Sequence, residues 1–241
     1  MTAARAAAAL LACALLAACE GPAQQPPPTG RGTATYPVPV PATTVHGMAR
    51  EVGGAGVPWA DLDQARAALQ TLAVKGRAPL TGYTREAFGS AWEDVNGNGC
   101  DTRNDVLRRD LVATTVEDCV VLAGVLHDPY SGDTIAFTRG PITSMDVQID
   151  HVVALANSWQ TGAQHWPDAK REAFANDRRN LLAVRGDLNL QKGDGDAATW
   201  LPPRKAFRCT YVALQIQTKQ RYGLWLTAPE KAAMQRILQT C

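Results

Sequence analysis

The chain has 241 residues and a formal net charge of +1 at neutral pH. So small a net charge excludes a chain that binds nucleic acid through overall basicity. Between Arg139 and Arg221, however, the sequence contains twelve Lys and Arg residues and only eight Asp and Glu residues. This local excess of positive charge is compatible with a surface that binds phosphate.

Residues 1–18 are predicted to be a signal peptide of the lipoprotein type. Arg5 is followed by an Ala/Leu-rich stretch that ends in small residues just before Cys19. In bacterial lipoproteins such a cysteine is lipidated and becomes the mature N-terminus, so Cys19 is the expected lipid anchor. An ordinary secretory signal that is cleaved nearby is the alternative. The apolar run is shorter than the roughly 20 residues that a membrane-spanning helix needs.

Residues 19–58 are predicted to form a disordered Pro/Gly-rich tether. Segments such as QQPPPTG and YPVPVPATT contain too few apolar side chains to offset the entropy lost on ordering. Proline stiffens such a segment into an extended spacer. The remaining residues, 59–241, are enough for one folded domain with a single core.

Export determines how the cysteines are interpreted. Cys100, Cys119, Cys209 and Cys241 form an even set in an oxidising compartment, and four cysteines allow three pairings. We favour Cys100–Cys119 with Cys209–Cys241, because each pair flanks one local unit. Each bond would stabilise the fold by roughly 3 kcal/mol. A zinc site made of the four thiolates is the alternative, but it lacks C-x-x-C spacing.

The spacing of apolar residues predicts both helices and strands. The predicted helices cover 61–74, 84–92, 102–111, 155–159, 167–176, 186–192 and 203–223, and a last helix begins at the capping box of Thr227 and Glu230. The predicted strands cover 119–126, 133–138, 147–153 and 181–184, and the turn DPYSG joins the first two as a hairpin. The sequence therefore predicts an α+β domain with few strands and a helical majority.

The most informative residues are Asp150 and His151, near the end of the apolar run MDVQIDHVVAL. Asn180 and Asn189 follow at a spacing of nine residues, and Lys192 comes three residues after the second. A base, a carboxylate and an amide oxygen are the groups needed to hydrolyse a phosphodiester with one magnesium ion. Because adjacent strand residues point to opposite faces, the strand end must twist if Asp150 and His151 are to reach one cleft.

The predicted elements around these residues form a strand–strand–helix unit. Strand 181–184 is expected to pair antiparallel with strand 147–153. Helix 186–192 would then cross the pair and present Asn189 towards Asp150. Such a unit would hold a metal ion at its centre.

This D-H…N…N pattern resembles the HNH endonucleases of the ββα-metal (His-Me finger) type. The wider string DHVVALANSWQTGA…REAFANDRRNLLAVRGDLNLQKGDGDAATWLPP resembles the subgroup related to the C-terminal domain of GmrSD-type restriction enzymes, many of whose relatives are small secreted bacterial proteins. The upstream segments GCDTRNDVLRRDL and DPYSG also match, so the resemblance covers about residues 80–225. It implies that residues 59–241 form an HNH nuclease domain: a ββα-metal core surrounded by helices, with an additional β-hairpin.

The resemblance also implies a role for each residue. His151 would be the general base that deprotonates the attacking water, and Asp150 and Asn189 would ligate Mg²⁺ or Mn²⁺. Asn180 would hold the loop and orient His151 by hydrogen bonding. The sequence departs from the compact HNH pattern in the long insert between His151 and Asn180. It also has Asn189 in place of a final histidine, which favours magnesium over zinc.

Other polar residues have more than one interpretation. Lys192 is expected at the catalytic site, where it contacts the scissile phosphate or is simply a helix-end cation. Arg103 and Arg179 are candidate contacts to substrate phosphate, and a structural ion pair is the alternative for Arg103. His127 and His165 are interpreted as surface or turn histidines.

The segment DVNGNGCDTRND fits the D-x-N-x-N-G pattern of a calcium-binding loop, with an acid at position 12. A calcium ion here would be separate from the catalytic metal. Its last ligand would be Asp rather than the usual bidentate Glu, and an Asx/Gly-rich turn explains the same residues without a metal. The candidate calcium ligands are Asp94, Asn96, Asn98 and Asp105.

We therefore expect an exported, monomeric endonuclease that cleaves DNA and touches a membrane only through a lipid on Cys19. RNA remains open as a further substrate. One alternative is a catalytically inactive exported binding lipoprotein on an HNH scaffold, although Asp150, His151 and Asn189 are all retained. Another is a zinc-dependent hydrolase using Asp150, His151 and His165, which lacks H-x-x-x-H spacing.

Overall fold

A computed structural model of the protein describes residues 60–141 and 143–241. The predicted signal peptide at 1–18, the tether at 19–58 and the lipidation site Cys19 lie outside these ranges. The α-helices are α1 (Leu62–Thr71), α2 (Thr102–Asp110), α3 (Leu155–Gln160), α4 (Asp168–Ala175), α5 (Gly186–Lys192), α6 (Arg208–Tyr222) and α7 (Ala228–Leu238). The β-strands are β1 (Leu111–Glu117), β2 (Val120–His127), β3 (Thr134–Thr138), β4 (Val147–His151) and β5 (Leu181–Arg185). The predicted α+β class is confirmed.

The first sheet has three antiparallel strands in the order β1-β2-β3. The predicted hairpin corresponds to β2 and β3, whereas the sequence predicts no element over most of β1. Its alternation is broken by a bulge, since Ala113 has φ 51° and the register shifts between Val112 and Thr115. The period-2 pattern that would predict a strand is therefore lost in the sequence.

The predicted helix over 84–92 is wrong. Only a short 3-10 turn, Glu86–Phe88, forms there, and it ends at Gly89 with φ 81°. Trp92 also has a positive φ of 65°, a backbone conformation that no helix contains. The chain instead loops past the end of β4, where Trp92 stacks on His151.

The second sheet pairs β4 with β5 in antiparallel register, with Asp150 opposite Leu182 and His151 opposite Leu181. One face of this pair packs against α2 and the first sheet, through residues such as Ile149. The other face packs against α1, α6 and α7, through residues such as Val184. Burial on both faces explains why β5 begins with four consecutive apolar residues.

Helix α5 begins directly after β5, which completes the predicted strand–strand–helix order. The junction requires a glycine, because a Cβ at Gly186 would lie 1.9 Å from the carbonyl oxygen of Met145. This close approach brings α5 back over β4. The side chains of Asn189 and Lys192 on α5 therefore come close to Gln148 and Asp150 on β4.

Two disulfides link neighbouring segments of the fold. The Cys100–Cys119 bond joins the segment before α2 to the turn between β1 and β2, and Cys209–Cys241 joins the start of α6 to the C-terminus. This is the pairing that the sequence favours. The predicted capping box of Thr227 starts α7. In residues 60–141 and 143–241 no helix has the length and apolar character needed to cross a membrane.

Candidate active site

Asp150 and His151 occupy the last two positions of β4 and line one cleft of about 470 Å³. Because Asp150 and His151 are adjacent in the strand, alternation directs their side chains to opposite faces of the sheet. The cleft lies at the end of β4, where both of these side chains line it. Asn189 and Arg103 also line it. The structure therefore brings together four of the residues that the sequence singled out.

The Asp150 carboxylate is almost completely buried, with 4% of the residue exposed. Its Oδ1 accepts a hydrogen bond of 2.8 Å from Lys192 Nζ, and its Oδ2 accepts one from the Tyr130 hydroxyl. Burial raises the pKa of Asp150, while the charge of Lys192 and the two hydrogen bonds oppose this effect. The acid is thus fixed in position by one cation and one hydroxyl.

His151 is held by a backbone carbonyl and an aromatic ring. Its Nε2 lies 2.8 Å from the carbonyl oxygen of Ala175, and its ring stacks on Trp92 with centroids 6.0 Å apart. A carbonyl oxygen can only accept, so Nε2 carries the proton and Nδ1 is the basic atom of the neutral ring. Within the described ranges, no hydrogen bond engages Nδ1.

Burial lowers the pKa of His151 to about 4, an effect that the hydrogen bond to Ala175 opposes and that the charges of Arg85 and Lys192 reinforce. The imidazole is therefore neutral at physiological pH. A neutral ring with an unoccupied Nδ1 is able to accept a proton from water.

Asn180 holds the segment that follows His151. Its Oδ1 accepts a 2.8 Å hydrogen bond from the Val153 amide, and its Nδ2 donates to the Val153 carbonyl at 3.2 Å. Its own backbone carbonyl accepts from Val152 at 2.8 Å. The side chain does not contact the imidazole, whose orientation comes from Ala175. Asn180 thus fixes the loop after His151, and it affects the position of His151 only through that loop.

Asn189 projects from α5 into the cleft. Its Nδ2 donates a 2.9 Å hydrogen bond to Oε1 of Gln148, which leaves Oδ1 as the atom that can ligate a cation. Gln148 lies two residues before Asp150 in β4 and lines the same cleft. Gln148 was not singled out from the sequence, although its two-residue spacing from Asp150 places both on one strand face.

The donor set fits a hard divalent cation that retains several waters. Asp150 supplies a carboxylate with lone pairs beyond those used by Lys192 and Tyr130, and Asn189 supplies an amide oxygen. Mg²⁺ is typically bound by one or two carboxylates plus water and phosphate oxygens. Among the described residues, no three His, Cys, Asp or Glu side chains gather as a ready metal cluster.

Lys192 is buried beneath the cleft and does not reach a position where it could contact a substrate phosphate. Its side chain is fully buried, and Nζ donates to Asp150 and, at 2.8 Å, to the carbonyl oxygen of His151. A buried ammonium with these two acceptors is not available to a substrate in the cleft. The geometry makes Lys192 a support for Asp150 and for the strand end.

The arginines around the cleft differ in their partners. Arg103 is partly buried in the cleft wall, and its guanidinium donates a long 3.4 Å hydrogen bond to the Val147 carbonyl. Within the described ranges no carboxylate lies at ion-pair distance from Arg103, so the alternative ion pair is not formed there. Arg85 is exposed and lines the same cleft. Arg179 is exposed and lines a neighbouring pocket rather than the cleft itself. Arg85 was missed in the sequence, because it lies in a segment predicted as an ordinary helix.

The candidate calcium loop folds on itself. Nδ2 of Asn96 and of Asn98 donates to the Asp105 carboxylate at 2.6 and 2.9 Å, and Asp94 accepts from the Gly99 amide at 2.8 Å. The four candidate ligands therefore do converge. Their own hydrogen bonds, with Arg178 3.4 Å from Asp105, are also what an Asx/Gly turn would show. Calcium binding by this loop stays a prediction.

The two other histidines in the part of the chain that the structure describes lie outside the cleft. His127 is exposed at the end of β2, with Nδ1 3.1 Å from the Thr134 hydroxyl. His165 ends a short 3-10 turn, and the cleft lining does not include it. A zinc site of Asp150, His151 and His165 therefore has no support from the cleft.

The fold and this cleft define an α+β protein with a candidate hydrolytic site built on a neutral histidine and a buried acid. The chain belongs to the family of GmrSD restriction endonuclease C-terminal domains, whose model matches residues 101–237. It is also 38% identical over 180 residues to an uncharacterised secreted protein of the fungus Arthroderma benhamiae, covering 73% of this chain and 84% of that protein. No solved structure matches the chain. The family match indicates a nuclease-related protein.

Proposed function

We propose that the protein is an exported, metal-dependent endonuclease that hydrolyses the phosphodiester bonds of DNA. One observation carries the proposal: the cleft that contains Asp150 and Asn189 also contains a neutral His151 whose Nδ1 has no partner in the described structure. Such a histidine is suited to activating water beside a bound phosphate. The family match supports the same chemistry.

In the proposed mechanism, His151 Nδ1 accepts a proton from the attacking water. The water oxygen then bonds to phosphorus while the bond to the leaving oxygen breaks, and the leaving oxygen takes up a proton from solvent water. The Ala175 carbonyl keeps Nε2–H as a donor throughout, so the ring does not rotate as it becomes imidazolium. The negative charge of a bound phosphate favours the imidazolium and raises the low pKa of the free His151 towards the working range.

Asp150 and Asn189 would hold Mg²⁺ or Mn²⁺ through a carboxylate and an amide oxygen. When bound, such an ion neutralises negative charge at the phosphate and at the leaving oxygen. Lys192 and Tyr130 would orient the Asp150 carboxylate for this ion, since both donate hydrogen bonds to it. Gln148 would orient the second ligand, because it accepts a hydrogen bond from the Asn189 amide.

The proposal is tested with mature protein, supercoiled plasmid and added Mg²⁺. We expect nicking that EDTA abolishes and that Mg²⁺ or Mn²⁺ restores. His151→Ala should be inactive, while His127→Ala, which changes an exposed histidine outside the cleft, should retain activity. A parallel reaction with RNA of similar length shows whether RNA is also cleaved. Folded wild-type protein that leaves both polymers intact across divalent ions would refute the proposal.

A catalytically inactive binding protein on the same scaffold is the second candidate. It predicts that wild-type protein binds DNA without cleaving it and that His151→Ala changes neither property. The intact constellation of Asp150, His151 and Asn189 in one cleft favours the enzyme.

We also propose that the protein is exported. The two disulfides are typical of an oxidising compartment, and the fungal relative is named as secreted. The signal peptide at 1–18 and a lipid on Cys19 are the bacterial form of this proposal. Incorporation of a labelled fatty acid by the full chain in a bacterial host, and its loss in Cys19→Ser, would test the lipid anchor. Labelling that persists in Cys19→Ser would contradict it.

A further inference from the structure

The cleft around His151 adjoins a second pocket, and a third pocket adjoins the second. A pocket of about 280 Å³ shares Arg85, Trp92, Leu155 and His151 with the cleft. A third pocket, of about 450 Å³, shares Asn176 with the second but no residue with the first. Asn176 is almost completely buried, so the second and third pockets adjoin across a buried residue. We call these three adjoining pockets the groove. His151 lies at the junction of the first two.

Arginines lie along the groove on both sides of His151. Arg103 belongs to the first pocket alone, Arg85 to the first two, and Arg179 to the third. Among the described residues, none of these three guanidinium groups has a carboxylate partner within ion-pair distance. By contrast, Arg178 in the third pocket is 3.4 Å from Asp105. An arginine without a carboxylate partner retains donors for the oxygens of a phosphate.

Carboxylates also line the groove, but two of the four have their own cations. Asp150 is paired with Lys192, and Asp177 lies 3.4 Å from Arg221 and also accepts from the Tyr222 hydroxyl. The other two acids are exposed residues, Glu86 in the second pocket and Asp194 in the first. Among the described residues of the groove, the three arginines without a carboxylate partner thus outnumber the two acids without a cation, and the third pocket has Arg179 but no such acid.

We infer that the groove binds several consecutive phosphates of one nucleic-acid strand. Arg103 and Arg85 would contact phosphates next to the reacting bond, and Arg179 would contact a phosphate further along the strand. This inference rests on the proposed nuclease function and adds to it: the substrate is a polymer held by its backbone. Contacts of guanidinium groups with phosphates carry no base information, so cleavage should show little sequence preference.

Binding is measured separately from catalysis, with a fluorescein-labelled DNA duplex in EDTA. Arg179→Ala should raise the dissociation constant roughly tenfold, which is the effect of losing one charged hydrogen bond. The log–log salt dependence of binding should also become shallower by about one phosphate contact. Arg236→Ala, an exposed arginine on α7 outside the three pockets, is the matched control and should bind like the wild type.

Cleavage provides a second readout. Relative to wild type, Arg179→Ala should lower kcat/KM more for long DNA than for bis(p-nitrophenyl) phosphate, which carries a single phosphate. Equal DNA binding and an unchanged ratio of the two activities in Arg179→Ala would overturn the inference while leaving the nuclease proposal intact. Wild-type protein that binds DNA through Arg179 yet cleaves neither substrate would support the groove and refute the nuclease.

Discussion

The Nζ atom of Lys192 lies 2.8 Å from Oδ1 of Asp150, and both side chains are almost completely buried. Removing one partner of such a pair leaves an uncompensated charge inside the protein, which typically costs about 3 to 5 kcal/mol. We therefore expect Lys192→Met to lower the free energy of unfolding by about that amount, as measured by urea denaturation. Lys205→Met changes an exposed lysine and should leave stability unchanged.

A double variant separates support of Asp150 from contact with substrate. Asp150→Asn in the Lys192→Met background removes the buried negative charge, so it should recover part of the lost stability. If Lys192→Met instead unfolds like the wild type but binds DNA poorly, Lys192 contacts phosphate and the buried pair has been misassigned.

Asn180 is predicted to contribute mainly to the stability of the fold rather than directly to catalysis. Asn180→Ala leaves the buried Val153 amide without its acceptor, at a cost of about 1 to 3 kcal/mol. Asn157→Ala is a matched control, since Asn157 is also buried but its amide has no hydrogen-bond partner in the described structure. Urea denaturation should show a larger loss for Asn180→Ala. Equal losses would show that the contacts to Val153 contribute little.

The buried imidazole predicts a distinct acid sensitivity. The folded-state pKa of His151 is about 4, below its usual 6.5, so folding disfavours the protonated ring. The stability that this provides is complete above about pH 6.5 and is lost as the pH falls through about 4. At about 1.4 kcal/mol per pKa unit, the loss is about 3 kcal/mol.

Urea denaturation between about pH 7 and about pH 4 measures this contribution. Carboxylates elsewhere also titrate in this range, so the readout is the difference between wild type and His151→Ala, whose stability should fall less steeply with pH. His127→Ala alters an exposed ring and should follow the wild type. Parallel curves for wild type and His151→Ala would mean that the imidazole is solvated in the folded protein.

The sequence predicted the elements that carry the site because their signals are local. The apolar residues around Asp150 and the continuous apolar run at 181–184 indicate buried strands, and the capping box of Thr227 marks a helix start within four residues. By contrast, β1 contains a bulge at Ala113, and the segment up to Trp92 contains positive φ values. Neither feature has a periodic signature, so both were missed.

The supporting contacts of the site could not be predicted for a different reason. The Tyr130 hydroxyl reaches Asp150 from the β2–β3 turn, and the Ala175 carbonyl reaches His151 from the end of α4. Both contacts join segments at least twenty residues apart in sequence, and a carbonyl acceptor leaves no side-chain signal at all. The chemistry of a site is thus visible in its polar side chains, while the groups that orient them depend on tertiary packing.

The last prediction concerns the hydrogen bond from Asn189 Nδ2 to Gln148 Oε1, at 2.9 Å. It fixes which end of the Asn189 amide can face a cation, because an amide that donates through Nδ2 presents Oδ1 elsewhere. Loss of such an outer contact typically weakens metal affinity or activity roughly 10- to 100-fold. We therefore expect Gln148→Ala to raise the Mg²⁺ concentration needed for half-maximal cleavage by that factor.

The measurement is a magnesium titration of the nicking rate, with Gln235→Ala, an exposed glutamine on α7, as the matched control. Because saturating Mg²⁺ compensates for a weakened site, the rate of Gln148→Ala should approach that of the wild type at high metal concentration. Asn189→Ala removes the amide oxygen itself and should require still more metal. A Gln148→Ala midpoint equal to that of the wild type, with Asn189→Ala strongly impaired, would show that the Asn189 amide is oriented without Gln148.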